Sequence, residues 1–352
     1  MRIYTLTLNP AYDVHLYADH FAPFHENIAT ILSREAGGKG VNISRALQSA
    51  HIANTAVIVV GLDNAAEYRQ KLAQAGLSVL EIERPGRIRE NLTLHCGNGP
   101  ETRISFAGFT AEDSILDEIF AQIRPAGDTI LTMTGRIANG MSMEGVKAFL
   151  KKATACGAKI VVDSRSFSLS DLKDVKPWLI KPNQEEISAY CGEPVEDMET
   201  ALAKAKEIAH FGIENTFVSM GEQGAILITG EQSFYAKPPH VQAVSTIGAG
   251  DSAIAGFLAA TVRGEDSEGR LASAVAFGTA ACLAEGTQPP TEEMIHNLLP
   301  QASDDPCDLS SLFQPGEALT DSVDISNVYE IRCNENSLVG RIIDDGCNSL
   351  VL

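Results

Sequence analysis

Ser245-Thr246-Ile247-Gly248-Ala249-Gly250-Asp251-Ser252 sets two glycines and a carboxylate ahead of a small apolar run, Ala253 to Val262. A helix opening there directs its free N–H groups and the positive end of its dipole into the glycine turn. Gly248, Ala249 and Gly250 would then cradle an anion, and Asp251 would stand close enough to take a proton from a hydroxyl. An anion cradle beside a base is what phosphoryl transfer to an alcohol requires. The same pattern also reads as a glycine turn followed by an N-capping Asp.

Four further stretches carry comparable chemistry. Gly37-Gly38-Lys39-Gly40-Val41-Asn42 puts a flexible turn, a cation and an amide at a helix start. It is not a P-loop, because Gly40 stands where that motif needs Ser or Thr. Its glycines would let a sugar approach the backbone while Asn42 binds hydroxyls; an ordinary glycine turn is the plainer reading. Asp13 follows the Asn9-Pro10 break and is expected at the C-terminal end of the first strand, the edge where open α/β sheets bind ligands. Lys181-Pro182-Asn183-Gln184-Glu185-Glu186 joins a strand to a helix. Asn183 and Glu186 have capping-box spacing, and the same two side chains could hold magnesium through waters. Ser219-Met220-Gly221-Glu222-Gln223-Gly224 ends another strand in a glycine turn suited to nucleotide phosphates, or to a plain hairpin.

The elements that must position these residues alternate. Strands are expected at Arg2 to Asn9, Asn54 to Val60, Thr129 to Met133, Lys159 to Val162, Trp178 to Lys181 and Thr216 to Met220. Helices are expected at Val41 to Ala50, Ala65 to Ala75, Met143 to Cys156, Gln184 to Tyr190, Met198 to His210, Ala253 to Val262 and Leu271 to Leu283. This rhythm implies an α/β fold, a mostly parallel sheet covered by helices on both faces. Two all-β patches, about 11–36 and 86–108, interrupt it and read as one small β-sheet lid built from two insertions. From about residue 301 the chain changes character. Residues 301–352 carry ten acidic and two basic side chains, with Val328 to Ile331 and Leu338 to Ile343 as a candidate hairpin. The division expected is a domain over 1–300 and an acidic extension over 301–352.

The 352 residues are 44% hydrophobic and 21% charged, enough for a substantial core. A net charge of −19 argues against nucleic acid and acidic membrane as partners. There is no signal-peptide pattern and no run of about 20 apolar residues, and seven scattered cysteines fit reduced thiols, so the chain is expected to be cytoplasmic.

Together Ala36 to Asn42, Lys181-Pro182-Asn183 with Glu186, and Gly248-Ala249-Gly250-Asp251 resemble the ribokinase/PfkB-type carbohydrate kinase family over about residues 1–300. Thr7 to Asp13 and Val244 to Asp251 are most similar to its phosphohexose branch, which includes 1-phosphofructokinase and tagatose-6-phosphate kinase. The resemblance implies ATP and Mg²⁺, a ribokinase-like fold, Asp251 as base and Gly248 to Gly250 as anion hole. It implies sugar contacts from Asp13, Gly37, Gly38, Lys39 and Asn42, phosphate contacts from Arg89 and Arg103, and nucleotide contacts from Lys181, Asn183, Ser219, Gly221 and Gly224. It implies dimerisation through the lids. Gly135-Arg136-Ile137-Ala138-Asn139-Gly140 departs from the family's usual turn, and Arg136 there either joins Arg89 and Arg103 as a third arginine on the substrate phosphate or is an exposed loop arginine. The expected reaction is fructose 1-phosphate to fructose 1,6-bisphosphate, with tagatose 6-phosphate and fructose 6-phosphate open as substrates. A sugar-phosphate-binding regulator without catalysis is the expectation from another class.

Overall fold

The structure, a computed structural model, describes residues 1–97, 101–284, 286–303 and 307–308. The tail beyond 308, with the candidate hairpin, lies outside the described residues.

Fourteen strands and ten helices are found among the described residues. In chain order they are β1 (Arg2–Thr7), β2 (Ala11–Ala18), β3 (Thr30–Gly37), α1 (Lys39–Ser49), β4 (Thr55–Gly61), α2 (Ala65–Gln74), β5 (Val79–Arg84), β6 (Arg89–Cys96), β7 (Thr102–Ser105) and α3 (Ser114–Ile123). Then come β8 (Thr129–Thr134), α4 (Met143–Ala155), β9 (Lys159–Asp163), α5 (Leu169–Val175), β10 (Leu179–Ile180), α6 (Gln184–Cys191), α7 (Met198–Ala209) and β11 (Asn215–Ser219). A 3₁₀ turn, Gly221–Gln223, leads to β12 (Ala225–Thr229), β13 (Gln232–Ala236), α8 (Ala249–Arg263), α9 (Ser267–Ala281), α10 (Glu292–Ser303) and β14 (Cys307–Asp308).

The large sheet has the order β14-β13-β12-β11-β10-β9-β8-β1-β4-β5. From β11 to β5 every pairing is parallel; β12, β13 and β14 add on antiparallel. Strand β4 is largely apolar and β8 alternates threonines with apolar residues, and both are buried on both sides, as a sheet sandwiched between helices demands. Helices α1, α8, α9 and α10 pack together, and Ile3, Leu47, Phe217, Phe257 and Phe277 fill the core they share with the sheet. A second core joins Tyr12, Val14 and Ile88 to Tyr68 and Leu72 of α2, so one side of the lid is anchored in the body.

The lid is a four-stranded sheet, β3-β2-β6-β7, in which β2 and β6, from the two insertions, pair in parallel. The fold is thus the expected α/β architecture with a separate small lid. Several elements differ in detail. Helix α3 was not anticipated although Ile115, Ile119 and Ile123 recur at helical spacing; α5, at seven residues, is too short for periodicity to show. Helix α10 runs through the boundary expected at 300, despite Pro300, and buries Leu298 and Ala302, so the body continues past that point. Asp13 does not end the first strand. The Asn9-Pro10 break hands the chain into the lid, and Asp13 is the third residue of β2.

Candidate active site

Helix α8 begins at Ala249, four residues earlier than its apolar run suggests, because Gly248 takes a left-handed conformation (φ 81°) that only glycine adopts readily. Asp251 is therefore the third helical residue and not the N-cap. The helix is buried along most of its length, and Gly256 lies so close to Ser273 of α9 that a Cβ would strike its carbonyl oxygen. The helix start is thereby fixed in space.

Helix α1 likewise starts two residues early, at Lys39, after Gly38 (φ 121°). Packing of α1 on α8 brings the two motifs together: Asn42 Nδ2 donates to Asp251 Oδ2 at 2.9 Å. Burial raises the Asp251 pKa to about 6; the Lys39 charge opposes the rise, Asp163 adds to it, and the Asn42 hydrogen bond also opposes it.

Asp163, at the end of β9, organises the cations. Lys39 Nζ donates to its Oδ2 at 2.9 Å, and Lys181 Nζ approaches the same oxygen at 3.9 Å. The Asp163 side chain is 1% exposed and Lys181 4%. Burial works to raise the Asp163 pKa, but the Lys181 and Lys39 charges and the Lys39 hydrogen bond outweigh it and hold the carboxyl below its ordinary range. For Lys39, burial is outweighed by Asp163, Asp251 and Glu186, which keep the ammonium protonated. A Cβ on Gly250 would stand 3.0 Å from Lys181 Nζ, so this cation sits against the start of α8. Lys181, expected among nucleotide contacts, is a buried charge supporting Asp163 and the helix start. Asp163 itself was not singled out in the sequence, although a carboxylate closing a parallel strand at the ligand edge is a readable signal.

A second polar cluster is built on the lid strands β2 and β6. Asp13 Oδ1 accepts from Asn91 Nδ2 at 2.9 Å, and Arg89 Nη1 donates to Asn91 Oδ1 at 3.0 Å. Gly37 pairs with Ala11 in the adjoining strand, and a Cβ there would collide with the Asp13 carboxylate. Arg136 is exposed on the turn after β8, and that turn is tied down by Asn9 Nδ2 donating to Ile137 O (3.3 Å) and Asn139 Nδ2 to Gly108 O (3.2 Å). Burial, and then the neighbouring Arg136 charge, lower the Arg89 pKa. Arg136 thus lies within electrostatic reach of Arg89, as does the Asp13 carboxylate, and among the described residues neither arginine makes an ion pair.

Arg103 does not join them. It lies opposite Thr93, four residues along β6 from Arg89, roughly 13 Å at strand spacing, and pairs with Glu101 at 2.9 Å. The expected three-arginine cluster is two arginines within the chain.

Asn183 and Glu186 form a full capping box: Glu186 N donates to Asn183 Oδ1 (2.9 Å) and Asn183 N to Glu186 Oε2 (3.1 Å). The structural reading of that motif holds. Ser219 ends β11, bridged to Asn183, and Gly221 and Gly224 bound the 3₁₀ turn at the same sheet edge. The stretches singled out thus lie at the C-terminal ends of the parallel strands β10 and β11, at the starts of α1 and α8, and on the lid strands.

An α/β body with a glycine-opened helix start, a carboxylate of raised proton affinity beside it and a lid across the sheet edge describe a small-molecule kinase. The profile of "pfkB family carbohydrate kinase" matches residues 9–294, and the chain belongs to that family. A 1-phosphofructokinase of Bacillus subtilis (strain 168) is 31% identical over 301 residues, 85% of this chain and 98% of that protein. Phosphofructokinase-2 from Escherichia coli in complex with substrates and products superposes with a TM-score of 0.81 at 27% identity, covering 86% of this chain and all of that one. The tetrameric inhibited form of the same enzyme gives 0.77 at 26% identity, over 86% and 99% of the two chains.

Proposed function

We propose that this kinase transfers the terminal phosphoryl group of ATP to a primary hydroxyl of a ketohexose phosphate, fructose 1-phosphate giving fructose 1,6-bisphosphate. The observation that carries the choice of a phosphorylated sugar is that Arg136 lies within electrostatic reach of Arg89, neither of them ion-paired among the described residues, in a protein of net charge −19. Such a pair is stabilised by an anion placed between them, and forked guanidinium donors suit a phosphate. The B. subtilis relative's activity supports the particular substrate.

In this reading Asp13 and Asn42 grip sugar hydroxyls, and Lys39 lies along the sugar with its charge held by Asp163. Asp251 orients the attacking hydroxyl and accepts its proton. The N–H groups at the start of α8 receive charge developing on the transferred group, whose loose transition state makes positioning and neutralisation the main contributions. The lid excludes water, whose attack would waste ATP. Oxygen-only donors fit a magnesium ion here: Asp163 Oδ1 is buried without a hydrogen-bond partner, and Glu186 lies within electrostatic reach of the same lysine. Among the described residues no three His, Cys, Asp or Glu side chains are set to ligate a metal, so Asn183, Glu186 and Asp163 would hold a hydrated ion through its waters. Mg²⁺ would neutralise phosphate charge.

The test is ATP consumption with fructose 1-phosphate, tagatose 6-phosphate, fructose 6-phosphate and free fructose. Fructose 1-phosphate is expected to give the highest kcat/KM and free fructose the lowest. Arg136→Ala should raise KM for the sugar phosphate about 10-fold, one charge-assisted contact, and leave KM for ATP unchanged. Preference for free fructose, or an unaltered KM, would refute the phosphate site.

The lid's other exposed surface carries Phe24, Ile28, Ile31, Leu32, Ile104 and Phe106. We infer that this apolar surface pairs with its copy in a homodimer. Ile31→Asp with Phe106→Asp should halve the mass measured by light scattering; an unchanged mass would exclude the lid as the contact. The tetramer of the E. coli enzyme makes higher assembly a second outcome of the wild-type measurement. Among the described residues no helix is long and apolar enough to cross a membrane, and Cys96, Cys156, Cys191 and Cys282 are free thiols; reduced thiols fit the cytoplasm, where we place the enzyme.

A further inference from the structure

Arg165 stands on the turn after β9, between Asp163 and the capping box, and the mechanism above gives it no task. Its Nε donates to Glu186 Oε1 at 3.2 Å and its Nη2 to Glu185 Oε2 at 2.9 Å. The other Glu186 oxygen, Oε2, is committed to the backbone N–H of Asn183 in the α6 cap. Oε1 is thus the oxygen through which Glu186 can meet a hydrated metal, and Arg165 has hold of it.

The turn itself is fixed. Ser164 Oγ donates to Gly135 O, Ser166 N donates to Ser164 Oγ (3.2 Å), and Ile137 N donates to Ser166 Oγ (3.4 Å). Only the Arg165 side chain is free to change partner. It is 61% exposed and Glu185 is 81% exposed, so that arm of the tether is the weak kind of ion pair that solvent screens, while Glu186, at 10%, is the buried partner. A hydrated dication at Oε1 would face the guanidinium charge directly, and like charges do not share one oxygen at low cost. The nucleotide that brings the dication also brings a chain of phosphate oxygens, which a guanidinium binds in forked fashion.

We propose that Arg165 is a nucleotide-phosphate ligand that exchanges partners: it holds Glu186 in the free protein and turns to the phosphate chain of ATP as Glu186 passes to the hydrated metal. The exchange rests on the kinase reading, and its test separates the two. Binding is measured by calorimetry with ATP in EDTA and again with Mg²⁺, on wild type, Arg165→Gln, Arg165→Lys, Glu186→Gln and the Arg165→Gln/Glu186→Gln double variant. Gln retains the cap at residue 186. Without metal, Arg165→Gln should bind ATP about 10-fold more weakly than wild type, and Arg165→Lys should recover part of the loss. Glu186→Gln leaves the guanidinium only its exposed partner Glu185 and should bind metal-free ATP several-fold more tightly than wild type, a gain that vanishes in the double variant. A merely structural Arg165 would give no such gain. Equal metal-free affinity in wild type and Arg165→Gln, or a gain that survives in the double variant, would overturn the exchange. Failure of the wild type to bind ATP under either condition would overturn the kinase reading instead.

Discussion

Asp251→Asn is expected to lower kcat by roughly 10²-fold or more, the scale of losing a general base, with nucleotide affinity retained. The substitution keeps the size of the side chain and an oxygen to accept from Asn42 Nδ2, so geometry survives while proton acceptance does not. The wild-type pH profile should show the same group: kcat/KM falling about tenfold per unit below pH 6, where the carboxylate takes up its proton. Stability should move the other way. Burial lifts this carboxyl from 3.8 to about 6, so between those values the folded protein binds more protons than the unfolded chain, and stability declines as pH rises through that window. Asn cannot ionise, so the variant should be the more stable protein at pH 7.5, by up to about 3 kcal/mol, with the difference fading toward pH 4. Turnover within a few-fold of wild type would remove Asp251 from the mechanism.

Asp163→Asn should do the opposite to stability. Its carboxylate is the counter-charge of Lys181, which is buried, and of Lys39. Taking one partner from a buried pair leaves uncompensated charge, at a cost of about 3–5 kcal/mol at neutral pH, or a fall in Tm of roughly 10 °C. Because the folded-state pKa of Asp163 is held down, its contribution is complete above the ordinary carboxylate range and is lost as pH falls through the lowered value. The two proteins should therefore converge in acid. A neutral-pH Tm within 2 °C of wild type, read by calorimetry, would show the cluster to be energetically idle. Two carboxylates beside the same lysine thus have opposite signatures: one is strained by ionisation and the other depends on it.

Much of this arrangement was legible in the chain. Glycine turns followed by small apolar runs marked α1 and α8, since those residues suit helix starts and close helix packing, and alternation of strands with helices gave the sheet. Residues whose importance comes from meeting across long sequence separations were not legible. Asp163 matters because Lys39 and Lys181 arrive at it from elsewhere, and no local pattern announces that meeting. Arg103 looked equivalent to Arg89 because both are lid arginines; register along β6 separates them. Arg136 and Arg89, 47 positions apart in the sequence, come within electrostatic reach of one another where the turns after β1 and β8 are bonded together. Helix α10 was hidden by composition, since its two leading glutamates and Pro300 mask the buried Ile295, Leu298 and Ala302.

Strand β3 belongs to the lid and α1 to the body, yet a single residue, Gly38, separates them. A joint that short has no slack. The lid cannot flap as if on a tether; any movement of β3 is a rotation about Gly38, and the residues just beyond it, Lys39 and Asn42, lie at the pivot. Lid position and the placement of Lys39 and Asn42 are therefore one mechanical variable, and a push on Asp13 of β2, which pairs with β3, is felt at the axle as well as at the rim.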